Sequence, residues 1–134
     1  MVSSIYAYPR TSINRQIELL GSDLIFGEID NVFVYPMLDV DRLQDALSRT
    51  LFSWPILTGR AYVSDNQRYF IQISDNFIPF TYTKNNEIKQ WPDLPVVVGD
   101  AKEIQPFIDS VGRKPPIEPL LRIKVTRLLL SDEY

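Results

Sequence analysis

The residues of this sequence that could do chemistry are carboxylates, arginines, lysines and hydroxyls, because histidine and cysteine are both absent. That removes the commonest general base and the commonest metal ligand, along with every thiolate nucleophile. Histidine triads, zincin motifs and zinc fingers are therefore excluded within the chain. No G-x-S-x-G, G-x-G-x-x-G or phosphate-loop pattern occurs, and no carboxylate spacing suggests calcium. Glu28 and Asp30 lie two apart in a loop, where carboxylates are ordinarily solvated and not catalytic. Gly59-Arg60 suggests a grip on a phosphate. The stronger reading is structural: Gly59 permits a tight turn after Pro55, and Arg60 pairs with a nearby carboxylate or the helix end. Arg113, Lys114, Arg122, Lys124 and Arg127 against Glu118 make a local excess of +4. Three of these cations fall on a candidate strand, two of them on one face, and read first as a solvated sheet face.

The elements that position these residues follow from periodicity. The 134 residues, 45% hydrophobic with a net charge of −3, suffice for one domain with a real core and carry no basic face for nucleic acid. No apolar run reaches the ~20 residues of a membrane span and no signal sequence is evident, so a cytoplasmic protein is expected. Ser4 to Tyr8 reads as a strand ended by Pro9, followed by a loop with a helical turn through Leu19–Asp23. Asn31 to Tyr35 is β-branched and aromatic and reads as a buried strand bounded by Pro36. The clearest helix runs from about 39 to 54, capped by Asp39. Val40, Leu43, Leu47, Leu51 and Trp54 form its apolar stripe. Pro55 stops it.

Residues 60–63 and 69–73 form a hairpin across Ser64-Asp65-Asn66-Gln67. Ile78 to Thr83 is a strand weakened at its start by Pro79, 85–95 is polar and irregular, and 101–111 forms a short helix interrupted at Pro106. Leu120 to Leu130 is the last strand, with Leu121, Ile123 and Val125 facing one way. Together these elements predict an α/β sandwich, a long helix packed on a mixed sheet.

Several segments in order resemble one family, the BAHD-type acyltransferases and their fungal relatives. Leu20-Gly21-Ser22-Asp23-Leu24 resembles the family's L-S-x-L-D, and Val32-Phe33-Val34-Tyr35 the strand after it. Asp39 to Leu51 resembles its L-x-x-A-L-S-x-T-L helix, and Trp54-Pro55-Ile56-Leu57-Thr58-Gly59-Arg60 its Y-P-L-A-G-R. Pro119-Leu120-Leu121-Arg122-Ile123-Lys124-Val125-Thr126 resembles its P-L-L-x-V-x-V-T strand. The helix followed by P-x-L-x-G-R is the most specific part, and the likeness covers essentially the whole chain.

The resemblance implies a chloramphenicol-acetyltransferase-like two-layer fold, here an incomplete domain. Residues 1–134 would be the N-terminal part, ending before the H-x-x-x-D motif that holds the family's general base. The complete enzyme would move an acyl group from acyl-CoA, as co-substrate and not as a bound cofactor, to a hydroxyl or amine of a small-molecule acceptor. No metal and no catalytic residue is expected in this segment, which alone would be inactive. Phe26, Glu28, Asn31 and Phe33 are implied to line the acceptor pocket, with a plain core role competing at Phe33. The phosphate that Arg60 could grip would be that of coenzyme A. A condensation-type relative would differ mainly in taking its thioester from a carrier protein. The alternative is a non-catalytic half-domain whose last strand, Leu120 to Leu130, joins another chain's sheet, so that the isolated chain associates through an open edge.

Overall fold

The computed structural model describes residues 1–23, 31–86, 118–129 and 134. The expected helix at 101–111 and most of the irregular stretch before it lie outside these residues, as do Phe26, Glu28 and Asp30.

Helix α1 spans Val40–Ser53, and its start is fixed by Asp39, whose Oδ1 accepts the Arg42 N–H at 3.0 Å. Asp41 in the first turn faces the positive end of the helix dipole. The stripe at spacings of three and four buries Leu51 completely and half-buries Val40, Leu43 and Leu47. It lies against Ile5, Ala7, Ile78, Phe80 and Val125, the main core. Trp54 departs from the expected stripe and stands 64% exposed. As the C-cap it has φ −129° and ψ 72°, so the chain has left the helical path and the 3.6-residue period no longer aims its ring. Pro55 cannot donate to the helix and instead opens a 3-10 turn, Pro55–Thr58.

The described residues form seven strands, in chain order β1 (Val2–Ile5), β2 (Arg15–Glu18), β3 (Arg60–Val63), β4 (Tyr69–Ile73), β5 (Ile78–Asn85), β6 (Glu118–Pro119) and β7 (Ile123–Leu128). They form two sheets where the sequence suggested one. The mixed sheet has the order β1-β5-β7, with β1 antiparallel to β5 (Ile5 opposite Ile78) and β7 parallel to it (Ile123 opposite Phe80). Its core face is covered by α1, as the expected helix-on-mixed-sheet packing requires. The second sheet, β2-β4-β3-β6, is wholly antiparallel. The chain is thus α/β, with one mixed sheet, one antiparallel sheet and one α-helix among the described residues.

The hairpin β3–β4 sits where the alternation placed it. Its turn closes through Gln67 N–H to Ser64 O at 2.9 Å with Gln67 at φ 59°, and Tyr62 stacks on Phe70 at 5.5 Å. Pro79 does not weaken β5. Phe80 and Tyr82 turn their backbone groups toward β1, where the Met1 ammonium and carbonyl meet Tyr82. Pro79 therefore points its missing N–H to the other side, ahead of where β7 begins at Ile123.

Other expectations need correction. The first strand ends at Ile5, because Tyr8 donates its N–H to Ser48 O of α1 and not to a strand. The last strand begins at Ile123 and not at Leu120, and the residues just before 120 form β6, which belongs to the other sheet. β2 falls where the sequence predicts a loop, and its ladder to β4 supplies the order that its sequence lacks. Residues 31–35 are not a buried strand: Phe33 is 69% exposed, and Val34 and Tyr35 are exposed too. A β-branched, aromatic sequence favours extended backbone, but a strand requires a ladder. Here the described backbone bonds of the segment are those at Tyr35.

Candidate functional site

Of the four expected pocket residues, Asn31 and Phe33 lie on the exposed segment 31–35, while Phe26 and Glu28 lie outside the described residues. That segment is tied at one point. Tyr35 donates its N–H to Tyr134 O at 2.9 Å and accepts the Tyr134 N–H at 3.0 Å. Tyr134 also packs beside the core and carries the Arg127 guanidinium 5.3 Å above its ring. The exposed segment therefore lies against residue 134, close to where β7 delivers the chain. A core role for Phe33 is ruled out by its exposure.

Gly59 is required by close approach, with an ordinary extended φ of −60° and ψ of 154°. A Cβ there would meet Ile56 O, Ile71 Cγ2 and Leu120 Cδ1, each at 2.8 Å. Leu120 also donates its N–H to Gly59 O at 3.1 Å. Buried Thr58 fixes the approach to this point, its hydroxyl shared between Pro55 O at 2.7 Å and Ser74 O at 2.8 Å.

Among the described residues Arg60 pairs with neither a carboxylate nor the end of α1, contrary to the structural expectation. Its guanidinium donates to the carbonyls of Thr58 and Gly59, each at 3.3 Å, and to that of Phe77, and lies 5.3 Å over the Phe77 ring. Burial, then repulsion from Arg122, pushes its pKa below the ordinary arginine value. The cations expected on one strand also separate. Arg122 precedes β7, while Lys124 and Arg127, three apart, lie on opposite faces of it.

A larger open cleft, of about 670 Å³, separates residues 4–10 from α1. Sequence reading missed it, although Tyr6, Tyr8 and Arg10 at alternate positions were the available signal. Ser48 Oγ donates to Tyr6 O, and Tyr8 N–H donates to Ser48 O at 2.9 Å, which closes the floor. Both arginines lining it are engaged. Arg10 Nε meets Asp75 Oδ2 at 2.6 Å and stacks 4.0 Å over Tyr6, and Arg49 Nε meets Asp45 Oδ2 at 2.9 Å. The Asp45 hydrogen bond and charge raise the Arg49 pKa. With its cations internally paired, this cleft presents a polar wall and no ready anion clamp.

No group of three or more acidic side chains among the described residues could hold a metal ion, and no described helix is long and apolar enough to cross a membrane. Neither a protein-family model nor a curated protein matches the chain.

Proposed function

We propose that this chain is the N-terminal portion of an acyltransferase of the chloramphenicol-acetyltransferase-like fold, moving an acyl group from acyl-CoA to a hydroxyl or amine. The observation that carries the reading is the reciprocal pairing of Tyr35 with Tyr134. It holds the segment bearing Asn31 and Phe33, the two described residues of the expected acceptor pocket, beside residue 134. In the family that the sequence resembles, the histidine base follows the strand that ends here near Leu128. Acyl transfer needs that base within ~3 Å of the acceptor proton, so an exposed aromatic segment next to its point of entry suits an acceptor wall.

The join between Gly59 and Leu120 supports the same reading. It links the Pro55–Arg60 segment and the Pro119–Thr126 segment, two of those that carry the resemblance. Chemistry would proceed by direct attack of the deprotonated acceptor on the thioester carbonyl, breaking the C–S bond and releasing coenzyme A as the thiol with the acceptor's proton, with no covalent enzyme intermediate and no catalytic residue from 1–134. The coding sequence after Tyr134 tests this: a histidine followed four residues later by aspartate, shortly past the strand, is the expected result.

A second reading, a non-catalytic half-domain, is favoured by one observation. The far edge of β7 carries no strand among the described residues, so another chain's strand could add there. A stop codon directly after Tyr134, with concentration-dependent association on size exclusion, supports it over the enzyme.

A further inference from the structure

At the outer edge of the antiparallel sheet lies an apolar groove of about 320 Å³ that the acyltransferase reading does not use. One wall is Ile13, Ile17 and Ile73, and the other is Trp54, Pro55 and Ile56 at the end of α1. β2 supplies the rim and has a strand neighbour on one side only among the described residues. Three of the lining side chains stand in water despite their size: Trp54 at 64%, Ile56 at 42% and Ile13 at 38% exposed. A cluster of exposed large apolar groups around a concavity is the ordinary signature of a site that something covers.

The polar content of the groove is small and of one sign. Among the described residues Arg15, set opposite Ile73 in the β2–β4 register, is the only charged residue lining it, and Ser53 is the only hydroxyl. Among the described residues Arg15 makes no ion pair, unlike Arg10, Arg49 and Arg68. Its guanidinium is therefore free to donate two N–H bonds to one carboxylate in fork geometry. The volume lies at the low end of the ~300–1,000 Å³ of small-ligand clefts, which suits a short apolar body and not a long chain.

We infer that this groove binds a small monocarboxylate with an apolar tail, the class of a medium-chain fatty acid, with its carboxylate on Arg15 and its tail between Trp54 and the three isoleucines. One cation selects one negative charge. No acidic residue lines the groove among the described residues, which removes any preference for an amine.

Trp54 reports on the site directly. The chain has two tryptophans, Trp54 and Trp91, so Trp91→Phe leaves the groove residue as the only indole. In that background, octanoate, octanol and octylammonium are titrated separately, with Trp54 emission and calorimetry as readouts. Octanoate is expected to bind saturably and at least about tenfold more tightly than either counterpart. Arg15→Gln should weaken octanoate by about 10-fold or more while leaving octanol unchanged, as loss of a charge-assisted bond requires. Ile56→Glu, which sets a carboxylate in the groove, should abolish octanoate binding with circular dichroism unchanged. Equal affinity for octanol, an unaltered response in Arg15→Gln, or no saturable signal in either readout overturns the inference.

Discussion

Leu120 donates its backbone N–H to the carbonyl of Gly59 at 3.1 Å, while its Cδ1 lies 2.8 Å from where a Gly59 Cβ would stand. That contact joins the turn after α1 to the approach of the last strands, so Gly59 is a packing residue more than a flexible one. Gly59→Ala is expected to destabilise by ~1–3 kcal/mol, because the Ile56 carbonyl is backbone and cannot swing away as a side chain could. A lower denaturant midpoint with unchanged slope is the measurement, and an unchanged midpoint would refute the close approach.

Asp39 tests the start of α1 separately. Asp39→Ala removes the acceptor for Arg42 N–H and should cost ~0.5–2 kcal/mol, while Asp39→Asn keeps an oxygen there and should cost much less. Thermal melts of the pair distinguish a cap from a merely exposed charge.

These two residues also show what the sequence made legible. The helix was readable to within a residue because Asp39 and the leucine spacing report a local fact, the geometry of one helix face. The β3–β4 hairpin was readable because alternation and turn length are local as well. β2 was not, since Arg-Gln-Ile-Glu has one apolar residue in four and becomes a strand only through β4, some 55 residues onward in its register. Val32–Tyr35 erred in the opposite sense, with strand composition and almost no ladder. Arg60 was misjudged because carbonyl acceptors from a turn and from Phe77 leave no mark in sequence spacing. Of the expected pocket, Asn31 and Phe33 can be placed, and they share one exposed segment.

Phe33 and Leu51 should respond oppositely to truncation. Leu51 is fully buried, so Leu51→Ala should cost ~2–5 kcal/mol. Phe33 is 69% exposed, and Phe33→Ser should change stability by less than ~0.5 kcal/mol. Under the proposed acyltransferase function, the same Phe33 change in the extended chain should raise KM for the acceptor and leave KM for acyl-CoA unaltered, a split that steady-state kinetics reads directly.

The Asp45–Arg49 pair, at 2.9 Å and spaced i, i+4, lies on the exposed face of α1. Water and salt screen such pairs, so Asp45→Asn should leave the melting temperature unchanged within error in moderate salt. A clear drop would mean that the pair holds the cleft floor between α1 and Tyr8.

Thioester turnover separates an N-terminal portion that lacks its base from a self-sufficient enzyme. Free thiol released from acyl-CoA, in the presence of hydroxyl and amine acceptors, should be measured for residues 1–134 and for the chain extended through what its gene encodes next. Residues 1–134 are expected to show no turnover above background, and the extended chain turnover that disappears when the downstream histidine is replaced by alanine. Turnover by residues 1–134 alone, or an extended chain indifferent to that histidine, would contradict it.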